Sequence, residues 1–195
     1  MYNPDIHHRR SIRLHNYDYS QSGMYFVTLC AQNRECLFGE IVDGQMQLND
    51  VGRMVRAVWD EIPAHYPGID VDEFVIMPNH IHGITVIVGA GPRACPDATK
   101  TQTNGQPQGV APTGLSLSDV VQRFKTMTTK RYADGVEQSG WPPFPAKLWQ
   151  RNYWEHVVRN EPELDRIREY IQNNPGQWES DTLCPQYMGR PDDLP

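Results

Sequence analysis

The run FVIMPNHIHGITVIV, residues 74–88, constrains the fold more than any other stretch. Two segments rich in apolar and β-branched residues, around FVIM and around HIHGITVIV, meet at Pro78-Asn79. That dipeptide is a turn signal, so an antiparallel return is expected there. A lone hairpin is not stable in water, so further strands or helices must cover it. The same run carries His80-Ile81-His82. On a strand the side-chain period is two, which puts both imidazoles on one face and Ile81 on the other.

The covering elements are legible on either side. MYFVTLCAQ, residues 24–32, reads as a strand. LFGEIV and QMQL read as a small hairpin turning at Asp43-Gly44. Asn49 or Asp50 can cap a helix whose apolar stripe is Val51, Met54, Val55, Val58, Trp59 and Ile62, bounded by Pro63 and Pro67-Gly68. Residues 89–114 are dominated by Gly, Pro, Thr and Gln and read as a flexible insertion. Ser116 or Ser118 can cap a second helix striped by Val120, Val121, Phe124 and Met127. Asn160, with Glu163 three residues on, opens a last helix striped by Leu164, Ile167 and Ile171 and stopped at Asn174-Pro175. Residues 179–195 read as an irregular tail. The layout predicts a single α+β domain over 1–195: a ferredoxin-like antiparallel sheet with helices packed on one face, plus a C-terminal helix.

A chain of 195 residues buries enough surface to need neither a disulfide nor a structural metal as a staple. No apolar run is long enough to span a membrane. The first fifteen residues are polar and basic, unlike a secretory signal, and the four cysteines form no CxxC pair. A cytoplasmic location is therefore expected. The net charge of −6 speaks against nucleic acid as a partner, but it is unevenly spread. Residues 40–73 hold eight acids against Arg53 and Arg56, whereas residues 121–159 hold seven bases against Asp134, Glu137 and Glu155. Arg9, Arg10 and Arg13 form a basic arm near the start. A phosphate backbone responds to the local surface rather than to the chain average.

Three groups of residues can carry chemistry. His80 and His82 can hold one metal ion, given a third group, or they can be structural. Tyr170 and Asn174 lie one helical turn apart beside the Ile167/Ile171 stripe. A phenol there is a possible covalent nucleophile, or else a helix-edge tyrosine followed by an Asn cap. Trp149-Gln150-Arg151-Asn152-Tyr153-Trp154-Glu155-His156 mixes rings with guanidinium and amide groups. That mix suits stacking on unpaired bases, or an aromatic minicore at the start of the last helix.

Five stretches, SIRLHNYDYSQSGMYFVTLCAQNRECLFG, VIMPNHIHGI, FKTMTTKRY, LWQRNYWEHVVRNE and YIQNNP, closely resemble the REP-associated tyrosine transposases, a branch of the single-tyrosine HUH transposases. They run in the family's order over residues 11–178. MPNHIHGI together with a downstream YIxxNP is far more specific than either motif alone. The resemblance implies a ferredoxin-like sheet carrying a metal-binding pair, His80 and His82, and a nucleophile, Tyr170, on a C-terminal helix. Asn174 stands where relatives place a polar third ligand.

The implied activity is cleavage and strand transfer of single-stranded DNA through a 5′-phosphotyrosine, with Mg²⁺ or Mn²⁺, at imperfect palindromic hairpins. Arg9, Arg10, Arg13, Arg123, Lys125, Lys130 and Arg151 are the expected DNA contacts. The acting species is a monomer or a homodimer. Two other readings stand beside this one: a DNA-hairpin binder without turnover, and a metal-dependent phosphodiesterase that uses water. The second lacks an acidic ligand next to the histidines, since Gly83 and Ile84 follow them.

Overall fold

A computed structural model describes residues 13–14, 17–88, 114–144 and 146–185. Arg9, Arg10, nearly all of the expected insertion and the last ten residues lie outside the described residues. In chain order the elements are β1 (Gly23–Cys30), β2 (Gly39–Val42), β3 (Gln45–Leu48), α1 (Asp50–His65), β4 (Ile69–Ile76), β5 (His80–Ile87), α2 (Leu117–Ser139), β6 (Trp154–Val158) and α3 (Glu161–Asn173). A 3-10 turn over Pro175–Ser180 follows.

Four strands make one sheet in the order β4-β5-β1-β6, and every neighbouring pair is antiparallel. Without the separate β2–β3 hairpin, the element order is β-α-β-β-α-β, the ferredoxin-like arrangement. Period-two alternation sorts β1 cleanly. Tyr25, Val27 and Leu29 face a large core shared with Val55, Val58, Trp59 and Ile62 of α1 and Val120, Val121 and Phe124 of α2. Phe26 faces the opposite way, into a smaller core with Ile84, Leu164 and Ile171. So α1 and α2 cover one face of the sheet and α3 covers the other.

The helix caps are those the sequence predicts. Asn49 accepts from the Gly52 N–H, Ser116 and Asp119 form a reciprocal capping box, and Asn160 accepts from the Glu163 N–H. Each satisfies a donor that the first helical turn leaves open. Pro63 does not end α1, which runs on to His65. In the last turn the missing proline N–H costs a single hydrogen bond. Asn174 stays in the αR region (φ −57°, ψ −42°) although Pro175 follows, and the chain tightens there into the 3-10 turn.

One element differs from the sequence expectation. Trp154, Glu155 and His156, the end of the run whose alternative reading is a minicore at the start of the last helix, lie instead in the edge strand β6 against β1. At Gly83 the missing side chain makes room for Trp59 of α1 and Phe74 of β4. A Cβ there would stand 2.6 Å from the Trp59 ring and 2.8 Å from the Phe74 ring.

Candidate active site

The turn at Pro78-Asn79 starts β5 at His80 and so sets which face the histidines take. In the β1–β5 register Thr28 lies opposite His82 and Cys30 opposite His80. This puts both imidazoles on the face that α3 covers, while Ile81 enters the large core. The two Nε2 atoms point at each other, 3.0 Å apart. Both rings are buried, and both are braced from behind. His80 Nδ1–H donates to Asn79 Oδ1 at 2.8 Å, and His82 Nδ1 is 2.8 Å from the Thr28 hydroxyl. Phe26 stacks on His82 with ring centres 5.4 Å apart.

α3 brings the phenol. Ile171 and Leu164 anchor the helix in the small core, and Arg168 clasps Asp72 of β4 through two hydrogen bonds of 2.9 and 2.7 Å. Tyr170 then projects beside the histidines, its hydroxyl 3.4 Å from His82 Nε2, with 44% of the residue still exposed. Asn174 is buried below it. The same chain thus unites Tyr170, His82 and His80.

A fourth group was not expected. The 3-10 turn carries the chain back over the site and sets Asp181 Oδ2 3.5 Å from His80 Nε2. Ligand atoms of His80, His82 and Asp181 all lie within 4.8 Å of one another. The objection that no carboxylate stands near the pair is thereby corrected: the acid comes from a hundred residues downstream. Its local signal was an Asx turn, in which Asp181 Oδ1 accepts from the Leu183 N–H at 2.7 Å. That signal marks a turn and says nothing of a neighbouring imidazole.

Electrostatics favour cation binding. Burial pushes the His82 pKa down to about 3. Burial first, then the neighbouring His82 and Arg34, push His80 well below its ordinary value. Both rings are therefore neutral near pH 7, the form that ligates metal. Asp181 is raised, chiefly by burial. Tyr170 is raised by burial and then by the Asp181 charge, against a hydrogen bond from Asn174 that lowers it. Asn174 Oδ1 and Asp181 Oδ2 are buried without a hydrogen-bond partner. A divalent cation among His80 Nε2, His82 Nε2 and Asp181, whose ligand atoms lie within 4.8 Å of one another, would satisfy the unpartnered Asp181 oxygen. The residues present therefore fit a metal ion.

The expected DNA contacts are dispersed. Arg13 pairs with the buried Glu155 and lies 3.8 Å over the Tyr153 ring. Lys125 turns inward and donates to the Gln150 carbonyl at 2.7 Å; burial first, and then the Arg13 charge, lower its pKa to about 8. Arg123 stacks over Tyr66 at 4.6 Å, and Lys130 pairs with Asp134 at 2.9 Å. Arg151 is exposed. Lys125, Lys130 and Arg151 line one groove of about 920 Å³ beside α2. Gln150 and Tyr153 belong to this groove and also to a 470 Å³ cavity that contains His82, Tyr170 and Asp181.

No protein-family model matches the chain. A protein of Haemophilus influenzae described as uncharacterised is 44% identical over 182 residues, covering 93% of this chain and 96% of its own. A second Haemophilus influenzae protein, a putative REP-associated tyrosine transposase, is 23% identical over 158 residues, covering 81% of this chain and 73% of its own. Among solved structures, a REP-associated tyrosine transposase bound to a REP hairpin superposes with a TM-score of 0.52 at 18% identity, over 84% of this chain and 72% of that one. Among the described residues no helix is long and apolar enough to cross a membrane. The chain thus belongs to one family with the 44%-identical Haemophilus protein, has the fold of a REP-associated tyrosine transposase, and is similar in sequence to a second member of that group.

Proposed function

We propose that the chain is a metal-dependent transesterase acting on single-stranded DNA at REP-type hairpins, with Tyr170 as nucleophile. The observation that carries this reading is the Tyr170 hydroxyl lying 3.4 Å from His82 Nε2 within one chain. His80, His82 and Asp181 would hold the cation, with the buried Asn174 side-chain oxygen as a further candidate donor. When bound, Mg²⁺ or Mn²⁺ supplies positive charge to the scissile phosphate. Burial keeps both imidazoles unprotonated for this task, and their rear contacts to Asn79 and Thr28 keep them aimed.

The Tyr170 oxygen attacks phosphorus in line. A P–O bond to the phenol forms and the bond to the 3′ oxygen breaks. The electron pair leaves with that oxygen, which takes up a proton. The phenol proton passes to water, because the ring is partly exposed. One ester replaces another, so a later attack by a 3′-OH can complete strand transfer without an energy source. The hairpin as substrate is carried over from the solved relative, which is described as bound to a REP hairpin.

The test is a Tyr170→Phe chain incubated with labelled hairpin DNA and Mn²⁺, next to the unmodified chain. A covalent protein–DNA band on a denaturing gel is expected only from the latter. A persisting band would transfer the role to another tyrosine, with Tyr153 next in line. Asp181 gives one alternative specific support: a carboxylate beside two histidines also suits a hydrolase that uses water. That enzyme would cut the DNA and leave no covalent band. A binder without turnover would shift the hairpin on a native gel and leave it uncut.

A further inference from the structure

Trp154 stands out because a large ring that packs edge-on against Phe26 and alongside His156 is still left half in water. It is the first residue of the edge strand β6, and 48% of it is exposed. An indole left in water forfeits the burial that normally justifies its size. Its position is well defined nonetheless. Its ring packs edge-on against Phe26, with centres 5.6 Å apart at 74°. Tyr170 packs edge-on against the same Phe26 at 6.0 Å and 88°. The indole and the phenol therefore share one supporting ring.

The register makes the relation quantitative. Trp154 lies opposite Thr28 on β6–β1, and Thr28 lies opposite His82 on β1–β5. All three occupy one row on one face of the sheet, so His82 and Trp154 are two strand spacings apart, about 10 Å. One cavity of about 470 Å³ spans the row and is lined by His82, Tyr170, Asp181 and Trp154. The amide-bearing Gln150 and Asn152 line it as well. A phosphate at the histidine end leaves its nucleoside within reach of the indole.

We propose that Trp154 is the stacking platform for the unpaired nucleobase next to the scissile phosphate. The inference rests on the DNA-transesterase reading and adds the site that receives the base. An aromatic face accepts any base, because every base has a π-face. The platform therefore contributes affinity and placement, and leaves base choice to edge contacts such as the Gln150 and Asn152 amides.

The experiment measures binding without chemistry. Fluorescein-labelled octathymidylate and an abasic octamer of equal charge are titrated against the full chain in EDTA, followed by anisotropy. The unmodified chain is expected to bind the thymine octamer about tenfold more tightly than the abasic one. Trp154→Ala is expected to bring the two within about twofold while leaving abasic binding unchanged. Trp154→Phe should restore most of the difference, and Trp154→Leu, which keeps apolar bulk without a flat face, should not. No base dependence in the unmodified chain would overturn the proposal. So would a dependence that survives in Trp154→Ala or Trp154→Leu, or an equal loss on both octamers. Covalent adduct formation on hairpin DNA is scored separately, so failure of the transesterase reading and failure of the platform give different results.

Discussion

The side-chain oxygen of Asn79 accepts the Nδ1–H of His80 at 2.8 Å while its amide N–H groups reach the carbonyls of Arg34 at 3.1 Å and Leu183 at 2.8 Å. The two carbonyls fix which end of the amide faces the imidazole. That in turn leaves the lone pair of His80 on Nε2, toward His82. Replacing Asn79 by Ala is expected to weaken Mn²⁺ binding by about 10- to 100-fold, the usual effect of removing a ligand's rear contact. It should also lower stability by about 1–3 kcal/mol, since the partners stay buried without it. Electron paramagnetic resonance titration of free Mn²⁺ reads the first effect and chemical denaturation the second. An unchanged affinity would show that the contact does not orient the ring.

Asp181 and Asn174 act on Tyr170 in opposite senses. The Asp181 charge raises the phenol pKa, whereas the Asn174 hydrogen bond lowers it. Asp181→Ala is therefore expected to lower the Tyr170 pKa and Asn174→Ala to raise it. Ultraviolet difference titration of each variant against its own Tyr170→Phe double isolates that one phenol. Shifts of the same sign in both would contradict the arrangement. Asp181→Ala should also weaken Mn²⁺ binding by about tenfold, as loss of a ligand requires.

The histidine pair predicts a pH dependence of folding. Both folded-state pKa values are depressed, that of His82 to about 3, from an ordinary value of 6.5. Between those values the unfolded chain binds more protons than the folded one, so stability falls as pH falls. The contribution is fully present above pH 6.5 and is lost progressively toward pH 3. The melting temperature in EDTA should thus drop as pH is lowered from 7 to 5. A His82→Gln chain should show a shallower drop, and equal slopes in the two would refute the account.

Gly83 tests the large core rather than the chemistry. A methyl group there meets the rings of Trp59 and Phe74, which are themselves stacked at 4.3 Å. Gly83→Ala is expected to cost about 1–3 kcal/mol by overpacking, measured by urea denaturation. A neutral result would mean that Trp59 can retreat.

What the sequence made legible depended on the range of the signal. The Pro78-Asn79 turn, the capping residues Asn49, Ser116 and Asn160, and the stripes of α1 and α3 are encoded within a few residues, and they alone predict the sheet face shared by His80 and His82. β6 was missed because a five-residue edge strand has its hydrogen-bond partner, β1, more than a hundred residues away. Its buried Glu155 reads as polar until Arg13 and Tyr19 are seen to pair with it. Asp181 escaped for the same reason. Counting charge singled out Lys125 and Arg13, but a count cannot show that the Lys125 ammonium caps the Gln150 carbonyl or that the Arg13 guanidinium pairs with Glu155. The roles of Tyr170 and Asn174 came from motif resemblance; helical spacing alone left them open to bland readings.

The clasp between Arg168 and Asp72 has a consequence for how molecules cooperate. It fastens α3 to the sheet of its own polypeptide, so no exchange of helices between copies is required to assemble the reacting groups. Blending His80→Ala molecules with Tyr170→Phe molecules should accordingly rescue nothing, and turnover per molecule should survive dilution. A crossed assembly would behave in the opposite way, regenerating intact centres from two broken parents.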